Sequence, residues 1–326
     1  MNILVTGGLG FVGYNVVQLL EKAGHRVVIV DSMTDYGIVP AAELNSVMAQ
    51  RRQRISAATV IYRTDITTVG LTSILKEHQI ERVVHLASFP RQKVVNANPQ
   101  AGSRTMSEGL LNLLESCVAA HVKKFVYVSS SMVYGNFRNT RGSGIDELHA
   151  TNPIGQYGIM KLAGEWLVKD YSRRHAIAHT ILRPTAVYGP VDVEDRVVSK
   201  FLLTAVRGGT IQVNGADEAL DFTYVSDTAD AVATATVSDA TDNMTYNIAR
   251  GRGRTLREAA ELAVAIVGSG SIQVNEPDSN FPSRGQLDTT RAYNDFGFNP
   301  TVDIEQGFKE YYEWLKDSVY WSRKTV

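Results

Sequence analysis

The chain reads as an α/β protein built on a doubly wound parallel sheet, with a smaller α/β unit after it. Three observations predict this. Short β-branched runs alternate with longer amphipathic stretches as far as Arg183, the rhythm of parallel strands joined by crossover helices. Several of those runs are apolar on both faces, as burial between two helix layers requires. Beyond Arg183 the strands become shorter and more polar. With 326 residues, 44% of them hydrophobic, the chain has ample material for a buried core, which excludes a disordered or fibrous protein.

Taken in order, strands are expected at Ile3–Thr6, Arg26–Val30, Thr59–Tyr62, Arg82–Leu86, Lys124–Ser129 and His179–Arg183. The clearest helices between them are Phe11–Lys22, Gln100–Ala120 and Gln156–Arg174. The later part is expected to hold strands Ile211–Val213, Asp221–Val225 and Tyr246–Ile248. Helices are expected there near Val197–Arg207, Asp227–Val237, Leu256–Val267 and Ile304–Lys316, with no linker or internal repeat.

Charge and cysteine content narrow the function classes. Lys plus Arg number 33 against 34 Asp plus Glu, a net charge of -1, so the totals carry no footprint for nucleic acid or anionic lipid. Cys117 is the only cysteine, which excludes an intrachain disulfide and a Cys-based zinc cluster and fits a reducing compartment. The opening MNILVTGGLGFVGYNVVQLL lacks a basic start and carries four glycines, so it reads as strand, turn and helix rather than a signal peptide. No run approaches the ~18 apolar residues of a membrane span. A cytoplasmic protein with no membrane or nucleic-acid partner is expected. His175 and His179 straddle a helix end and a strand start with no Cys or acid partner in pattern, so no metal is expected. The basic stretch Arg250–Arg257 reads as a solvated loop, and His85 as a core or cofactor-proximal histidine.

The first strand runs into Gly7-Gly8-Leu9-Gly10-Phe11-Val12-Gly13 at the start of a helix. Glycines there let the backbone turn tightly and let a pyrophosphate approach the helix N-terminus, whose free N–H groups and dipole favour anions. Asp31 ends the second strand ~20 residues on, where a carboxylate can accept both adenosine-ribose hydroxyls and repels a 2′-phosphate. Strand, turn, helix and acid together indicate a dinucleotide, and Asp31 favours NAD over NADP. Asp65, ending the third strand, is placed either to reach the adenine amino group or to cap the strand end.

Tyr157 and Lys161 stand four residues apart, on one face of a helix. Ionising a tyrosine near pH 7 needs about three pH units, or about 4 kcal/mol. One unit charge at 4 Å in an effective dielectric of ~20 is worth about 4 kcal/mol. Lys161 together with a positive nicotinamide ring can therefore make Tyr157 a general base for an alcohol whose hydride leaves for NAD. Ser129-Ser130-Ser131 ends a strand, where hydroxyls can bond the reacting alcohol. On spacing alone, a surface Tyr–Lys pair and an ordinary serine turn remain open.

Further segments accompany these: His85-Leu86-Ala87, SSSMVYG, Pro153 before YGIMK, and Leu182-Arg183-Pro184 running to Val187-Tyr188-Gly189-Pro190. Asp221-Phe222-Thr223-Tyr224-Val225, Ile304-Glu305-Gln306-Gly307-Phe308 and Trp314 complete the set. Over essentially its whole length the chain resembles the extended short-chain dehydrogenase/reductase family, in its NAD-dependent nucleotide-sugar epimerase/dehydratase branch. The resemblance implies a Rossmann-type NAD-binding domain, residues 1–183 plus about 225–248, and a nucleotide-sugar-binding domain, residues 184–224 and 249–326. It implies Ser130, Tyr157 and Lys161 as catalytic residues, with Ser131 the fallback for Ser130 and otherwise a substrate contact. NAD contacts are implied at Gly7, Gly10, Phe11, Val12, Gly13, Asp31, Asp65, Ile66, Leu86, Ala87, Tyr157 and Lys161. It also implies a homodimer through Gln100–Ala120 and the next helix.

The family's 4,6-dehydratases carry Asp-Glu after the catalytic hydroxyl, and decarboxylating relatives use a Glu at the second of those places. Here Ser131-Met132 follow Ser130. The C3/C5 epimerases need a Cys or another acid–base pair in the sugar pocket, whereas Cys117 falls in the middle of a sheet-covering helix. What remains is 4-epimerisation through a transient 4-keto sugar and bound NADH. The segment Asp31–Tyr36 with Arg51 resembles UDP-glucose and UDP-glucuronate 4-epimerases, which favours a UDP-sugar. A C4 dehydrogenase or ketoreductase using the same trio is the alternative. A catalytically silent NAD-binding regulator is a third reading, against which the intact trio argues. Three positions depart from the family: Leu220 stands where a diphosphate-binding Arg is common, and Ala186 and Met106 where Asn is. Arg284 matches the second diphosphate Arg, and Arg91 and Arg196 are the candidates to replace the missing one.

Overall fold

The computed structural model describes residues 1–137, 144–192, 196–278 and 282–321. Its centre is a sheet whose strands alternate with helices in the chain. These strands are β1 (Asn2–Thr6), β2 (Arg26–Asp31), β3 (Val60–Arg63), β4 (Arg82–His85), β5 (Lys124–Val128), β6 (Ala178–Pro184) and a last strand, Met244–Ile248. From one edge the order is Met244–Ile248, β6, β5, β4, β1, β2, β3, and every neighbouring pair is parallel. This is the Rossmann-type α/β architecture. Ile3, Leu4, Val83, Val84 and Val126 have no exposed surface, which is why these strands are apolar on both faces.

The order reverses at β1, where Thr6 lies opposite both Val30 of β2 and His85 of β4. The connection after β1 leads to β2 on one side and the connection after β4 leads to β5 on the other, so a crevice opens beyond the strands' carboxyl ends. Helix α1 (Phe11–Lys22) turns its buried Tyr14, Val16, Val17 and Leu20 to the sheet and packs against Val225–Val237. Leu256–Val267 and Ile304–Lys316 span the expected residues. Thr255 and Glu258 cap the first reciprocally, and Asp303 caps the second through the Gln306 N–H.

Two expected elements are divided. The stretch expected as Gln100–Ala120 comprises a short helix Pro99–Ser103, a π-turn Arg104–Gly109 and a helix Leu110–Ala119. Pro99, lacking an N–H, opens the first piece behind an Asn98 cap, and Gly109 closes the π-turn where a Cβ would meet the Ile66 side chain at 2.7 Å. The expected strand Asp221–Val225 becomes Ala219–Leu220 and Thr223–Tyr224, with a helix starting at Val225. The buried Asp221 carboxylate interrupts it by accepting the N–H groups of Gly251 (3.2 Å) and Leu287 (3.1 Å). The helix Ala41–Gln53 carries too little apolar periodicity to be seen in the sequence, and the strand Ser271–Asn275, parallel to Thr210–Asn214, alternates like its partner but offers only two apolar residues. No helix among the described residues is long and apolar enough to cross a membrane.

Candidate active site

At the carboxyl ends of the sheet lies a cavity of about 1330 Å³. Its floor is the glycine-rich turn. Gly7 adopts φ +71°, and a Cβ there would meet the Ala87 nitrogen at 2.7 Å, so β1 and the segment after β4 approach as only a glycine allows. A Cβ on Gly13 would fall inside the Gly7 carbonyl oxygen. Helix α1 begins at Gly10 with no side-chain cap and no acid in its first turn. The N–H groups of Phe11, Val12 and Gly13 thus form an unneutralised positive end at the cavity wall. That cradle fits a dinucleotide pyrophosphate.

Beside it, the Asp31 carboxylate accepts the Leu9 N–H (2.9 Å) and the Met33 N–H (2.8 Å), one on each oxygen, and keeps lone pairs for two ribose hydroxyls. Burial raises its pKa, while those two donors and Arg51 draw it back. Arg51 is itself buried, donating to the Leu9 carbonyl (3.2 Å) and, by Nη2, to the Val191 carbonyl (2.9 Å). It thereby ties the glycine-rich turn to the loop after Pro190. Asp65 caps its strand end, its Oδ1 accepting the Thr67 N–H at 2.8 Å, and also lines the cavity with Ile66, Leu86 and Ala87.

The reactive groups face this floor. Ser130 opens a tight turn, Ser131–Tyr134, its hydroxyl accepting the Met132 N–H at 3.2 Å. Tyr157 and Lys161 project from the helix Gln156–His175 one turn apart. The Ser130 hydroxyl lies beside the Tyr157 phenol, and buried Lys161 donates to the Val128 carbonyl at 2.8 Å, its Nζ 5.9 Å from the Tyr157 ring centre. The electrostatics differ from the sequence expectation. Burial raises the Tyr157 pKa, and the groups opposing it are Arg196 and Ser130 rather than Lys161. Lys161, desolvated beneath the phenol, is lowered to about 7, with Glu165 acting the other way.

Arg196, considered as a phosphate ligand, pairs with Asp192 (Nε to Oδ2, 2.8 Å) and stands 5.9 Å over the Phe11 ring. Its charge thus lies between the glycine-rich turn and Tyr157. His85 is a core residue: its Nδ1 meets the Thr6 hydroxyl at 2.8 Å, its ring stacks on Tyr127, and burial lowers its pKa to about 3.

On the opposite wall, Ser131 is 1% exposed and its hydroxyl has no hydrogen-bond partner among the described residues. Arg284 lines the cavity, its buried Nε likewise unpartnered among the described residues, and burial lowers it to about 10, so it remains a cation at neutral pH. Arg91 enters from the N-terminal end of the helix Gln92–Ala97. Leu220 and Ala186 line the cavity, Ala186 with φ +39°. Met106 packs behind the wall with Phe89 and Val95 instead. Cys117 is buried in the sheet-facing core and its thiol is pushed up.

Sequence reasoning missed the pair beneath the site. Arg183 binds Glu165 in two places, Nη2 to Oε2 at 2.6 Å and Nε to Oε1 at 2.9 Å, with both side chains buried. The available signs were an acid eight residues after Tyr157 and a lone cation in an apolar strand.

The chain matches the family model described as NAD dependent epimerase/dehydratase family over residues 3–249. UDP-glucuronate 4-epimerase 1 of Arabidopsis thaliana is 28% identical to it, over 96% of this chain and 76% of that protein. Among solved structures, the UDP-glucose 4-epimerase of Thermotoga maritima with UDP-glucose is 28% identical with a TM-score of 0.85, covering 97% of this chain and 99% of that one. The UDP-glucuronic acid 4-epimerase of Bacillus cereus, in complex with UDP-glucuronic acid and NAD, is 25% identical with a TM-score of 0.88, over the same shares.

Proposed function

The chain belongs to the NAD dependent epimerase/dehydratase family, with NAD as its cofactor, and from that premise we propose that it is a UDP-sugar 4-epimerase. The carrying observation is the turn after Ser130. Eliminating water across C5–C6 needs a base for the C5 proton and an acid for the leaving hydroxyl. Ser131 is a poor base unaided, and Met132 transfers no proton. Inverting C4 needs neither. The 4-epimerases it resembles in sequence and in fold support the same reading.

In this reading NAD, when bound, supplies the hydride acceptor and donor. Tyr157 takes the proton from the C4 hydroxyl and returns it, Ser130 holds that oxygen, and the Arg196 charge favours the phenolate. Ser131, with its unpartnered hydroxyl, takes a sugar oxygen, and Arg284 takes the diphosphate, with Arg91 the second cation of that wall. Residues 1–183 and about 225–248 hold the cofactor, and 184–224 with 249–326 shape the sugar side. We also infer a homodimer, supported by exposed Trp166 (64%), Ile159 (52%) and Leu111 (37%) on the adjacent helices Gln156–His175 and Leu110–Ala119. Light scattering tests it.

The function is tested by incubating the NAD-loaded protein with UDP-glucose, UDP-glucuronate and their GDP, CDP and dTDP counterparts, followed by proton NMR and mass spectrometry. The C4 epimer at unchanged mass, without net NADH, is expected. A product lighter by one water overturns the reading, and a stoichiometric rise in NADH absorbance identifies a dehydrogenase instead.

A further inference from the structure

Three consecutive residues at the end of β5 face three residues spaced four apart on one helix, and two of the three are held by hydrogen bonds. The Val128 carbonyl accepts from Lys161 at 2.8 Å, the Ser129 hydroxyl donates to Glu165 at 2.6 Å, and the Ser130 hydroxyl lies beside the Tyr157 phenol. The i, i+4, i+8 spacing places all three on one face of Gln156–His175, and a strand end held at successive residues cannot shift without releasing one of them. Two of the three, Lys161 and Tyr157, already have roles in the proposed chemistry. Glu165 has none.

Glu165 is 1% exposed, so its charge is kept in place by its partners, Ser129 and the two-point contact with Arg183 of β6. The charged or titratable groups around Lys161 are Tyr157, Glu165 and Lys169 on its own helix, His85 on β4, Tyr127 on β5 and, through Glu165, Arg183 on β6. Burial keeps His85 neutral and Tyr127 protonated, so Glu165 is the anion acting on the Lys161 ammonium. We propose that Glu165, backed by Arg183, is a positioning residue of the reaction: it keeps Lys161 in its ammonium form and fixes the strand end that presents Ser130 to Tyr157. This rests on Tyr157 and Lys161 being the proton-transfer pair of the proposed function.

A pair that merely braces the fold would weaken it whichever partner is lost, whereas an electrostatic role predicts opposite signs for the two. The experiment titrates Lys161 by NMR in the NAD-loaded protein carrying ¹³C-labelled lysine, its resonance assigned by loss in Lys161→Met. Glu165→Gln is expected to lower the Lys161 midpoint by about one pH unit, and Arg183→Gln to raise it. In Glu165→Gln the alkaline limb of kcat moves to lower pH by the same amount, with KM held to within about two-fold. Movement of both variants in one direction, or none in either, overturns the proposal. Should neither single variant fold, the double variant removes both charges of the pair and must leave the midpoint within about half a pH unit of the parent. A larger displacement also overturns it. If no nucleotide sugar is turned over, the proposed function fails, and the lysine titration still decides the role of Glu165.

Discussion

The cofactor wall and the sugar wall of the cavity are built in different ways. The cofactor wall is local and largely backbone: a glycine turn, the first N–H groups of α1 and one acid at the end of β2. The facing wall, which the proposed function assigns to the sugar, is assembled from side chains scattered along the chain, Arg91, Ser131, Leu220 and Arg284. A backbone cradle tolerates almost no substitution, because a Cβ at Gly7 or Gly13 collides with main chain. A wall of separate side chains can change one member at a time while the sheet below stays the same. None of the three departures from the family pattern, Leu220, Ala186 and Met106, falls in the glycine turn or at Asp31.

The sharpest way to separate chemistry from both walls is Tyr157→Phe. It is expected to lower kcat by about 10²- to 10⁴-fold while NAD affinity, measured by calorimetry, stays unchanged. Near-parental turnover would remove Tyr157 from its assigned role. Gly13→Ala attacks the cofactor wall alone. Overpacking against the Gly7 carbonyl should cost about 1–3 kcal/mol, read as about 5- to 150-fold weaker NAD binding, with the far wall intact.

Acid should also reach the cofactor wall, through His85, which joins β1 to β4. Its folded pKa of about 3 lies below the ordinary value of 6.5, so its contribution to stability is full above pH 6.5 and declines as pH falls toward 3. By pH 5 the loss is about 2 kcal/mol, and denaturant titration of His85→Gln should show that decline flattened.

Arg284→Met tests the sugar wall. It is expected to raise KM for the nucleotide sugar about 10-fold and to leave NAD affinity as it was. A change in NAD affinity instead would mean that the two walls are not independent. The smallest effect expected is that of Leu220→Arg, which restores the cation common in the family. With Arg284 already present, it should lower KM by only about two- to five-fold. No change would mean that Arg91 already fills the place.

The sequence alone determined most of the sheet and the cofactor wall, because both are written in local signals. Apolar runs open on both faces located β1 to β6, and adjacent residues made the glycine turn, with Asp31 one strand further on. The Tyr157–Lys161 spacing is likewise a property of a single helix. Tertiary structure alone decided what surrounds those groups. Glu165 and Arg183 meet from a helix and a strand, and the charge of Arg196 acts on Tyr157 from the N-terminal end of the helix Val197–Val206. The direction in which Tyr157 and Lys161 titrate follows from the burial those neighbours impose. Covalent spacing fixes which side chains share a helix face. Desolvation and charge act through space, and that distance exists only once the strands are ordered.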